Sequence, residues 1–527
     1  MVLGRDEIFA TRRRLVDDLL LELQRRAKDA RDTREVRLVE THLSWVVIGP
    51  EVYKVKKPIT YPFADFSSFE ARERACRNEV RINRRLAPRT YLGVVPVRRR
   101  TDGHFTLDAG GGPVVEWAVR MKRLDDAQQA DVRLAAGTLT GGMIDGLARA
   151  IASFHADSPT GPRIVQCGSP DLVEAHAREN FEALREAVTF EGLEEIERWQ
   201  TAFLRGERAR FQGRMAAGAI RDGHGDLRLE HVFVRDDEDF EIIDGIEFDD
   251  RYRWGDVAAD VAFLAMDFAR LGRVDLAERF IASYARAADD FDLYGVLDFY
   301  ESYRACVRAK VRAATSAEEA RRCLLLAQSA RRRSILEPLL ICVGGGIACG
   351  KSTLAERLGE RLSAPVIDAD RTRKHMLGLS VTAHAASTEA WKGAYDPAFS
   401  AQVYREVLRR AGVVLASGRP AIIDASFRTA AARAEAREVA NQNNVPFRLI
   451  ECRAPIDLAR ARLEARDASK SVSDATPEIL DSFAKGFEPI TELCSTEHLA
   501  VDTSGEVDDA LKTVLREVGA WPAGLVD

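Results

Sequence analysis

The sequence has few lysines, no paired cysteines and no long apolar run. Of its 77 basic residues only 12 are lysines, so a lysine cluster is a specific signal. The eight cysteines show no C-x-x-C pair and no spaced Cys/His ligands, which argues against a zinc or disulfide framework and favours reduced thiols. No run of about 18 apolar residues predicts a membrane span, and the charged N-terminus does not resemble a signal peptide. We therefore expect a cytoplasmic protein that does not bind membranes.

The length and charge of the chain limit its organisation and its partners. With 527 residues, about three domains are expected, or two domains of which one is bilobal. The net charge of −6 argues against binding nucleic acid by bulk charge, although a local basic groove stays possible.

The hydrophobic pattern changes twice along the chain. Strand patterns dominate residues 35–123, and helical periodicity dominates residues 125–333, interrupted by two short strands around an acidic turn. After the polar segment 329–338, strands and helices alternate, which is typical of a parallel α/β sheet. The pattern predicts an α+β bilobal region at 1–335, with lobes at about 1–123 and 124–335, followed by an α/β domain at 336–527.

The most specific motif lies directly after the first strand of the α/β region. It fits G-x-x-x-x-G-K-[ST] and is followed by Thr353; its residues are Gly345, Gly346, Ile347, Ala348, Cys349, Gly350, Lys351 and Ser352. A strand before it and a helix after it are the context of a phosphate-binding loop. Backbone N–H groups would hold phosphate oxygens, Lys351 would reach the β- and γ-phosphates, and Ser352 would bind Mg²⁺.

Acidic and basic residues follow the next strands. Asp424 ends an apolar strand and could hold Mg²⁺, accept a proton or only cap a turn. Asp370 and Arg373 follow another strand, at the edge of a parallel sheet where ligands bind. Arg462 and Arg466 are four residues apart, which predicts that they share one helical face. They could clamp a phosphoryl group or belong to a solvated face.

A second set of candidates lies in the N-terminal region. The segment HGDLRLEH contains His224, Asp226 and His231, which is typical of the catalytic loop H-x-D-x-x-x-x-N except that His replaces the final Asn. Asp226 would accept a hydroxyl proton. Asp244, 18 residues further on, ends an apolar strand and would bind Mg²⁺ with His231, which takes the place of the motif's Asn. Because imidazole is a poor magnesium ligand, two alternatives stay open: Asp244 binds the metal without His231, alone or with Glu247 or Asp249, or this region is only weakly active.

A lysine cluster precedes these residues. Lys54 and Lys56 alternate along a predicted strand and project to one face. One of them would bind phosphate, with Glu79 as its ion-pair partner. The alternative is a basic edge strand whose lysines prevent aggregation.

Both halves resemble known kinase families. Residues 41–266 resemble the aminoglycoside phosphotransferase and choline kinase branch of the protein-kinase-like fold, through "VYKVKKP", "HGDLRLEHV" and "IDGIEFDDRYRWGDVAADVAFLAMD". Residues 334–527 resemble the adenylate-kinase-like P-loop kinases near gluconate kinase, zeta toxin and polynucleotide kinase, through the P-loop, "DADRTRK" and "RLEARD". The second resemblance implies acceptor binding by Asp370 and Arg373 and phosphate contacts from Arg462 and Arg466 in a lid.

These features predict an enzyme, a bifunctional ATP-dependent phosphotransferase. It would use ATP and Mg²⁺ and act on hydroxyl groups of small molecules. Two alternatives stay open. In one, the N-terminal region is a pseudokinase that binds nucleotide and regulates the P-loop kinase. In the other, the protein phosphorylates ends of nucleic acids or nucleotides, and its binding would then depend steeply on salt.

Overall fold

Six of the N-terminal strands form one antiparallel sheet, and β4 and β5 pair with each other in a separate hairpin. The sheet has the strand order β1-β2-β3-β8-β6-β7. Helix α1 packs against one face through Leu15, Val16 and Leu19, which meet Trp45 and Val55. The elements are α1 (Arg5–Asp29), β1 (Arg37–Glu40), β2 (Ser44–Ile48), β3 (Glu51–Lys56), β4 (Thr60–Tyr61), β5 (Ala64–Asp65), α2 (Phe69–Asn83), β6 (Tyr91–Arg99), β7 (Phe105–Thr106) and β8 (Val114–Lys122).

Helices dominate the next part of the chain, as predicted. The acidic turn joins the antiparallel strands β10 and β11, and β9 pairs with β12. The elements are α3 (Ala130–Ala135), α4 (Gly141–Asp157), α5 (Pro162–Gln166), α6 (Pro170–Ala187), α7 (Leu193–Gly206), α8 (Arg208–Ala216), β9 (Ile220–Asp222), β10 (Val232–Val234), β11 (Phe240–Ile242), β12 (Trp254–Asp256), α9 (Val257–Arg270), α10 (Val274–Ala288), α11 (Leu297–Ala313) and α12 (Ala317–Gln328). Short 3-10 helices span Asp126–Gln128, Leu229–His231, Asp250–Tyr252 and Phe291–Gly295.

The C-terminal region is built on a five-stranded parallel sheet of order β14-β15-β13-β16-β17. Its central strands are continuous apolar runs because helices cover both faces of such a sheet. The elements are β13 (Leu340–Gly345), α13 (Lys351–Leu362), β14 (Val366–Asp368), α14 (Ala369–Met376), α15 (Pro397–Ala416), β15 (Ala421–Asp424), α16 (Ala430–Gln442), β16 (Phe447–Arg453), α17 (Ile456–Glu464), α18 (Pro477–Lys485), β17 (His498–Asp502) and α19 (Val507–Val518). The predicted fold class is confirmed.

The computed structural model describes residues 5–61, 64–329, 337–383, 393–466 and 472–518, with side chains from residue 12 onward. The chain divides into two units, one formed by Met1–Leu172 with Met215–Leu264 and the other by Val173–Arg214 with Ala265–Asp527. The predicted domain boundary at residues 335 and 336 lies outside the described residues. Within the described ranges, no helix is long and apolar enough to cross a bilayer.

Candidate active sites

Two lysines of β3 meet one glutamate of α2 in the first unit. The Lys54 Nζ lies 2.9 Å from Glu79 Oε1, and the Lys56 Nζ lies 2.5 Å from Glu79 Oε2. Burial raises the pKa of Glu79, but the two ammonium groups lower it by more, so the carboxyl stays ionised. Strand β3 lies between β2 and β8 inside the sheet, which excludes the alternative of a basic edge strand. Lys54, Lys56 and Glu79 therefore form a cluster of charged side chains inside the unit.

Asp244 joins this cluster from a point 190 residues away in the chain. It follows β11 in the left-handed conformation, with φ of 65°, which Asp tolerates better than most residues. The Lys54 Nζ lies 2.8 Å from its Oδ1 and lowers the pKa of the Asp244 carboxyl. The Tyr91 hydroxyl accepts a hydrogen bond from the Asp244 amide at 3.2 Å. Lys54 thus bridges the carboxylates of Glu79 and Asp244.

The catalytic-loop motif is held by an aspartate of α9. The Asp260 carboxylate accepts hydrogen bonds from the His224 amide at 2.7 Å and from the Gly225 amide at 3.0 Å. Burial lowers the pKa of His224 to about 4, and its Nε2 lies 3.1 Å from the Ile243 carbonyl. His224 is therefore neutral at pH 7 and ties the loop to the end of β11.

His231 has a defined tautomer that its neighbours impose. Its Nδ1 lies 2.9 Å from the Asp226 carbonyl, which can only accept, and its Nε2 lies 2.8 Å from Nη2 of Arg228, which can only donate. These contacts fit a ring in which Nδ1 donates to the Asp226 carbonyl and Nε2 accepts from the guanidinium of Arg228. The same Arg228 places its Nε 3.3 Å from Asp226 Oδ2.

The residues of this first site fit magnesium only in part. Asp244 offers carboxylate oxygens, which magnesium prefers. The Nε2 of His231 lies 3.7 Å from Asp244 Oδ2, but Arg228 already uses its lone pair. No cluster of three or more His, Cys, Asp or Glu suited to a metal occurs among the described residues. Magnesium here would need oxygen ligands from water or phosphate, and the metal role of His231 stays a prediction.

The nine residues predicted as the P-loop run from the last residue of β13 into the first turn of α13, in the second unit. Gly345 has φ of 132°, and a Cβ on it would lie 2.4 Å from the Cys452 carbonyl oxygen. Gly350 has φ of 89° at the start of α13, so both positions require glycine. The Lys351 Nζ donates to the Gly346 carbonyl at 2.7 Å. A hydrogen bond with the Cys452 thiol lowers the pKa of Cys349 to about 6.

Two carboxylates lie at the ends of strands that neighbour this loop. Asp424 ends β15 and accepts a hydrogen bond from the Ser352 side chain; burial raises the pKa of its carboxyl to about 6. Asp368 ends β14 and caps α14 by accepting from the amides of Asp370 and Arg371 at 2.7 and 2.9 Å. Burial and the charges of Asp424 and Asp370 raise the pKa of Asp368 to about 7. Ser352 and Asp424 together offer oxygen ligands that fit magnesium.

The predicted acceptor residues form a small network around a tyrosine. The Tyr395 hydroxyl lies 3.2 Å from Asp370 Oδ1 and 3.4 Å from Asp474 Oδ2. The Arg373 guanidinium stacks on the Tyr395 ring at 4.3 Å from its centroid and donates to the Ala394 carbonyl at 2.6 Å. Lys374 lies 3.3 Å from Asp474 and is buried.

The lid arginines differ in their surroundings. Arg462 donates to the carbonyls of Thr503 at 2.7 Å and Ala348 at 3.3 Å. The Nη1 of Arg466 is buried and has no hydrogen-bond partner among the described residues. The prediction that one helix carries both is wrong, because α17 ends at Glu464 and the Arg466 amide bonds back to Leu463, three residues earlier, at 3.3 Å.

One cavity of about 890 Å³ joins the parts of the P-loop site. Its walls include Lys351, Ser352, Asp370, Arg373, Asp424, Arg462 and Arg466. The structure therefore brings the predicted phosphate-binding, acceptor-binding and lid residues to one space.

Sequence reasoning missed Arg228, Tyr395 and Asp474. Arg228 lies two residues after Asp226, so its position inside the catalytic-loop motif could have identified it as a site residue. Asp474 belongs to a polar segment near the lid, and Tyr395 belongs to no recognisable motif. Of the two aspartates that follow Trp254, Asp256 ends β12 and caps α9 by accepting from the Ala258 amide at 2.9 Å, and Asp260 lies on α9 itself.

Two family models match the chain. Residues 50–300 match the one described as "Phosphotransferase enzyme family", and residues 340–490 match the one described as "AAA domain". Among solved structures, a choline kinase from Cryptosporidium parvum Iowa II is 12% identical and covers 60% of this chain and 95% of its own, with a TM-score of 0.36. A gluconokinase from Sinorhizobium meliloti 1021 is 17% identical and covers 35% of this chain and 93% of its own, with a TM-score of 0.25.

A full-length relative spans both matched regions. The uncharacterized protein Rv2004c of Mycobacterium tuberculosis H37Rv is 34% identical over 458 residues, which cover 84% of this chain and 89% of the relative. The predicted resemblance of the two halves is confirmed by the family models. The chain therefore belongs to the family of this mycobacterial protein and joins a phosphotransferase-family domain to a P-loop domain.

Proposed function

We propose that this chain is a bifunctional ATP-dependent kinase whose two sites each transfer the γ-phosphoryl group to a hydroxyl of a small molecule. For the P-loop site, the observation that carries this proposal is one cavity in which Lys351 of the P-loop and Asp370 of the acceptor helix α14 both form walls. For the first site, it is the contact of Lys54 with both Glu79 and Asp244. A site that combines a phosphate-binding loop with a carboxylate able to accept a proton has the two parts that phosphoryl transfer needs.

In the P-loop site, each residue has a role that follows from its contacts. The loop amides and Lys351 would bind the phosphates, which replace the Gly346 carbonyl as the partner of the Lys351 ammonium. Ser352 and Asp424 would hold Mg²⁺, which neutralises phosphate charge when bound. Asp370 would accept the proton of the attacking hydroxyl. Arg466 has an unsatisfied N–H group that can donate to the transferred phosphoryl group.

In the first site, Lys54 would bind phosphate while Glu79 holds its ammonium in place. Asp244 would bind Mg²⁺ through its carboxylate. Asp226 would accept the hydroxyl proton, and Arg228 fixes its side chain from 3.3 Å. The roles of Lys56 and His231 would be structural, since Lys56 pairs with Glu247 and Glu79.

The proposal is tested on the full chain with radioactive ATP and a metabolite extract. Four proteins are compared: the wild type, Lys351→Ala, Asp226→Asn and the double variant. We expect two groups of phosphorylated products, one lost in each single variant and both lost in the double variant. If the double variant labels the same products as the wild type, neither site is a kinase. Labelled oligonucleotides in place of small molecules would instead support a nucleic-acid kinase.

A second function is favoured by the contacts of the first site. There the Nε2 of His231 is used by Arg228 and Lys54 is paired with Asp244, so this site could bind nucleotide without transferring phosphate and regulate the P-loop kinase. A titration of Mg·ATP against the Lys351→Ala variant distinguishes the two functions. Binding without any labelled product would support regulation, whereas binding with a product supports two kinases.

A further inference from the structure

We propose that residues 274–298, here called the supporting segment, hold the acceptor helix α14 in place, with Arg410 as the positioning residue. The segment comprises α10, the 3-10 helix Phe291–Gly295 and the start of α11. It precedes the P-loop domain in sequence and lies within residues 50–300, which match the phosphotransferase model. The inference rests on the proposed function only in taking Asp370 and Arg373 of α14 as acceptor-binding residues.

The main contact is a two-point ion pair between α15 and the end of α10. Nη1 and Nη2 of Arg410 lie 2.8 Å from Oδ1 and Oδ2 of Asp289. The same Nη1 donates to the Thr372 hydroxyl of α14 at 3.2 Å. His375, at the end of α14, places its Nδ1 2.9 Å from Asp289 Oδ2. Arg410 and Asp289 therefore contact α14 at Thr372 and His375, which lie about one helical turn apart.

The end of α10 is shaped for this contact. Asp289 adopts the left-handed conformation, with φ of 53°, and ends the helix by donating its amide to the Ala285 carbonyl. The carbonyl of Arg286, in the last turn, accepts a hydrogen bond from Nη2 of Arg371 at 3.2 Å. Cations favour the C-terminus of a helix, where carbonyl groups lack partners within the helix. α14 thus contributes Arg371 to the same helix end.

A second buried arginine joins the supporting segment to the strand that carries Asp424. Arg419 lies two residues before β15 and donates to Glu278 at 2.8 Å and to Asp298 at 2.9 Å. Its guanidinium also lies 5.7 Å from the centre of the Tyr294 ring. Arg410 and Arg419 are each only 5% exposed. Removal of one partner from such a buried pair leaves a charge without compensation, unlike removal from an exposed pair.

In the part of the chain that the structure describes, the contacts of Arg410 include Thr372 of α14 and none with the P-loop. Loss of its guanidinium should therefore loosen the acceptor helix while the nucleotide-binding loop stays intact. A change confined to α14 would indicate that Arg410 positions the acceptor helix. A change in both α14 and the nucleotide-binding loop would indicate that Arg410 stabilises the whole domain.

Hydrogen–deuterium exchange on the full chain tests the inference without knowledge of the acceptor. In the Arg410→Met variant we expect the amides of α14 to exchange about tenfold faster, because local opening becomes easier, while those of α13 are unchanged. Arg409→Met is the matched control, since Arg409 is the next residue on α15 and its pair with Asp292 is half exposed. Equal exchange in the two variants, or faster exchange throughout α13 and α14, would overturn the proposal.

A double-mutant cycle with Asp289→Asn gives an independent test. Asn tolerates the left-handed conformation, so this variant removes the charge without strain. If Arg410 and Asp289 act as a pair, the rate increase in the double variant should fall short of the product of the two single increases; an increase equal to that product would contradict the pairing. ATP hydrolysis by the same proteins, each also carrying Asp226→Asn, should lose kcat while KM for ATP stays constant. Absence of hydrolysis in the parent would count against the proposed function, and the exchange result would still decide this inference.

Discussion

The two candidate sites hold the lysines that we propose bind phosphate in different ways. Lys351 donates to a carbonyl of its own loop, five residues away, whereas Lys54 is held by carboxylates from α2 and from the end of β11. The P-loop site therefore depends on a short local conformation. The first site depends on distant segments that meet only in the folded unit. A local site and a long-range site should respond differently to substitution and to pH.

The largest effect is expected for Lys351→Ala in a full chain that also carries Asp226→Asn. Loss of the ammonium removes the charge that would stabilise the transferred group, so ATP turnover at the P-loop site should fall about a thousandfold. Steady-state hydrolysis of ATP measures it. Lys512→Ala, which removes an exposed lysine of α19, is the control and should match the parent. Turnover above a tenth of the parental rate would show that Lys351 has no major role in ATP turnover.

A smaller effect is expected for Asp226→Asn in a chain that also carries Lys351→Ala. Removal of a general base should slow labelling of acceptors at the first site about a hundredfold, with Mg·ATP affinity preserved because Lys54 and Asp244 are intact. The exposed Asp236→Asn on the acidic turn serves as control. If both variants label acceptors equally, the first site does not use Asp226 and the regulatory function gains support.

Arg466→Ala tests whether this arginine of the P-loop site acts on the phosphoryl group or supports the fold. Because its buried Nη1 has no partner among the described residues, its loss should lower ATP turnover about tenfold without lowering the melting temperature. Arg460→Ala, which removes an exposed ion pair between Arg460 of α17 and Asp481 of α18, should change neither quantity. A lower melting temperature for Arg466→Ala would show that the arginine supports the fold instead of the phosphoryl group.

The last effect concerns the pH dependence of stability, which differs in sign between the sites. Asp368 has its pKa raised from 3.8 to about 7, so the folded state binds more protons than the unfolded state between these values. Stability of the wild type should therefore fall relative to Asp368→Asn as pH rises from about 4 to about 7, by at most about 1.4 kcal/mol per pH unit. Urea unfolding of both proteins across this range measures the difference.

His224 provides the opposite case in the first site. Its pKa is lowered from 6.5 to about 4, so the unfolded state binds the extra proton between these values. Relative to His224→Gln, the wild type should therefore lose stability as pH falls from about 6.5 to about 4. Parallel pH trends for the Asp368 and His224 comparisons would contradict the assignment of both buried groups.

Local motifs were the predictable part of both sites. The P-loop could be read from nine consecutive residues, because its glycines and Lys351 form one turn between a strand and a helix. The pairing of Lys54 with Glu79 could be expected from the strand and the helix that follows it. Tyr395, by contrast, reaches Asp370 and Asp474 from a segment without a motif, and no spacing in the chain indicates that contact.

The order of strands and helices and the P-loop follow from the sequence by itself, since each depends on neighbouring residues and local periodicity. The kinase families follow from the resemblance of its motifs to those of known proteins. The tertiary structure decided which partners the charged side chains have. The fold brings the guanidinium of Arg228 to the Nε2 of His231. It also pairs Asp289 with Arg410, which is 121 residues away in the chain. Such pairs depend on the packing of distant segments. A buried charge is stable only beside an opposite charge, and the fold determines which residue supplies it.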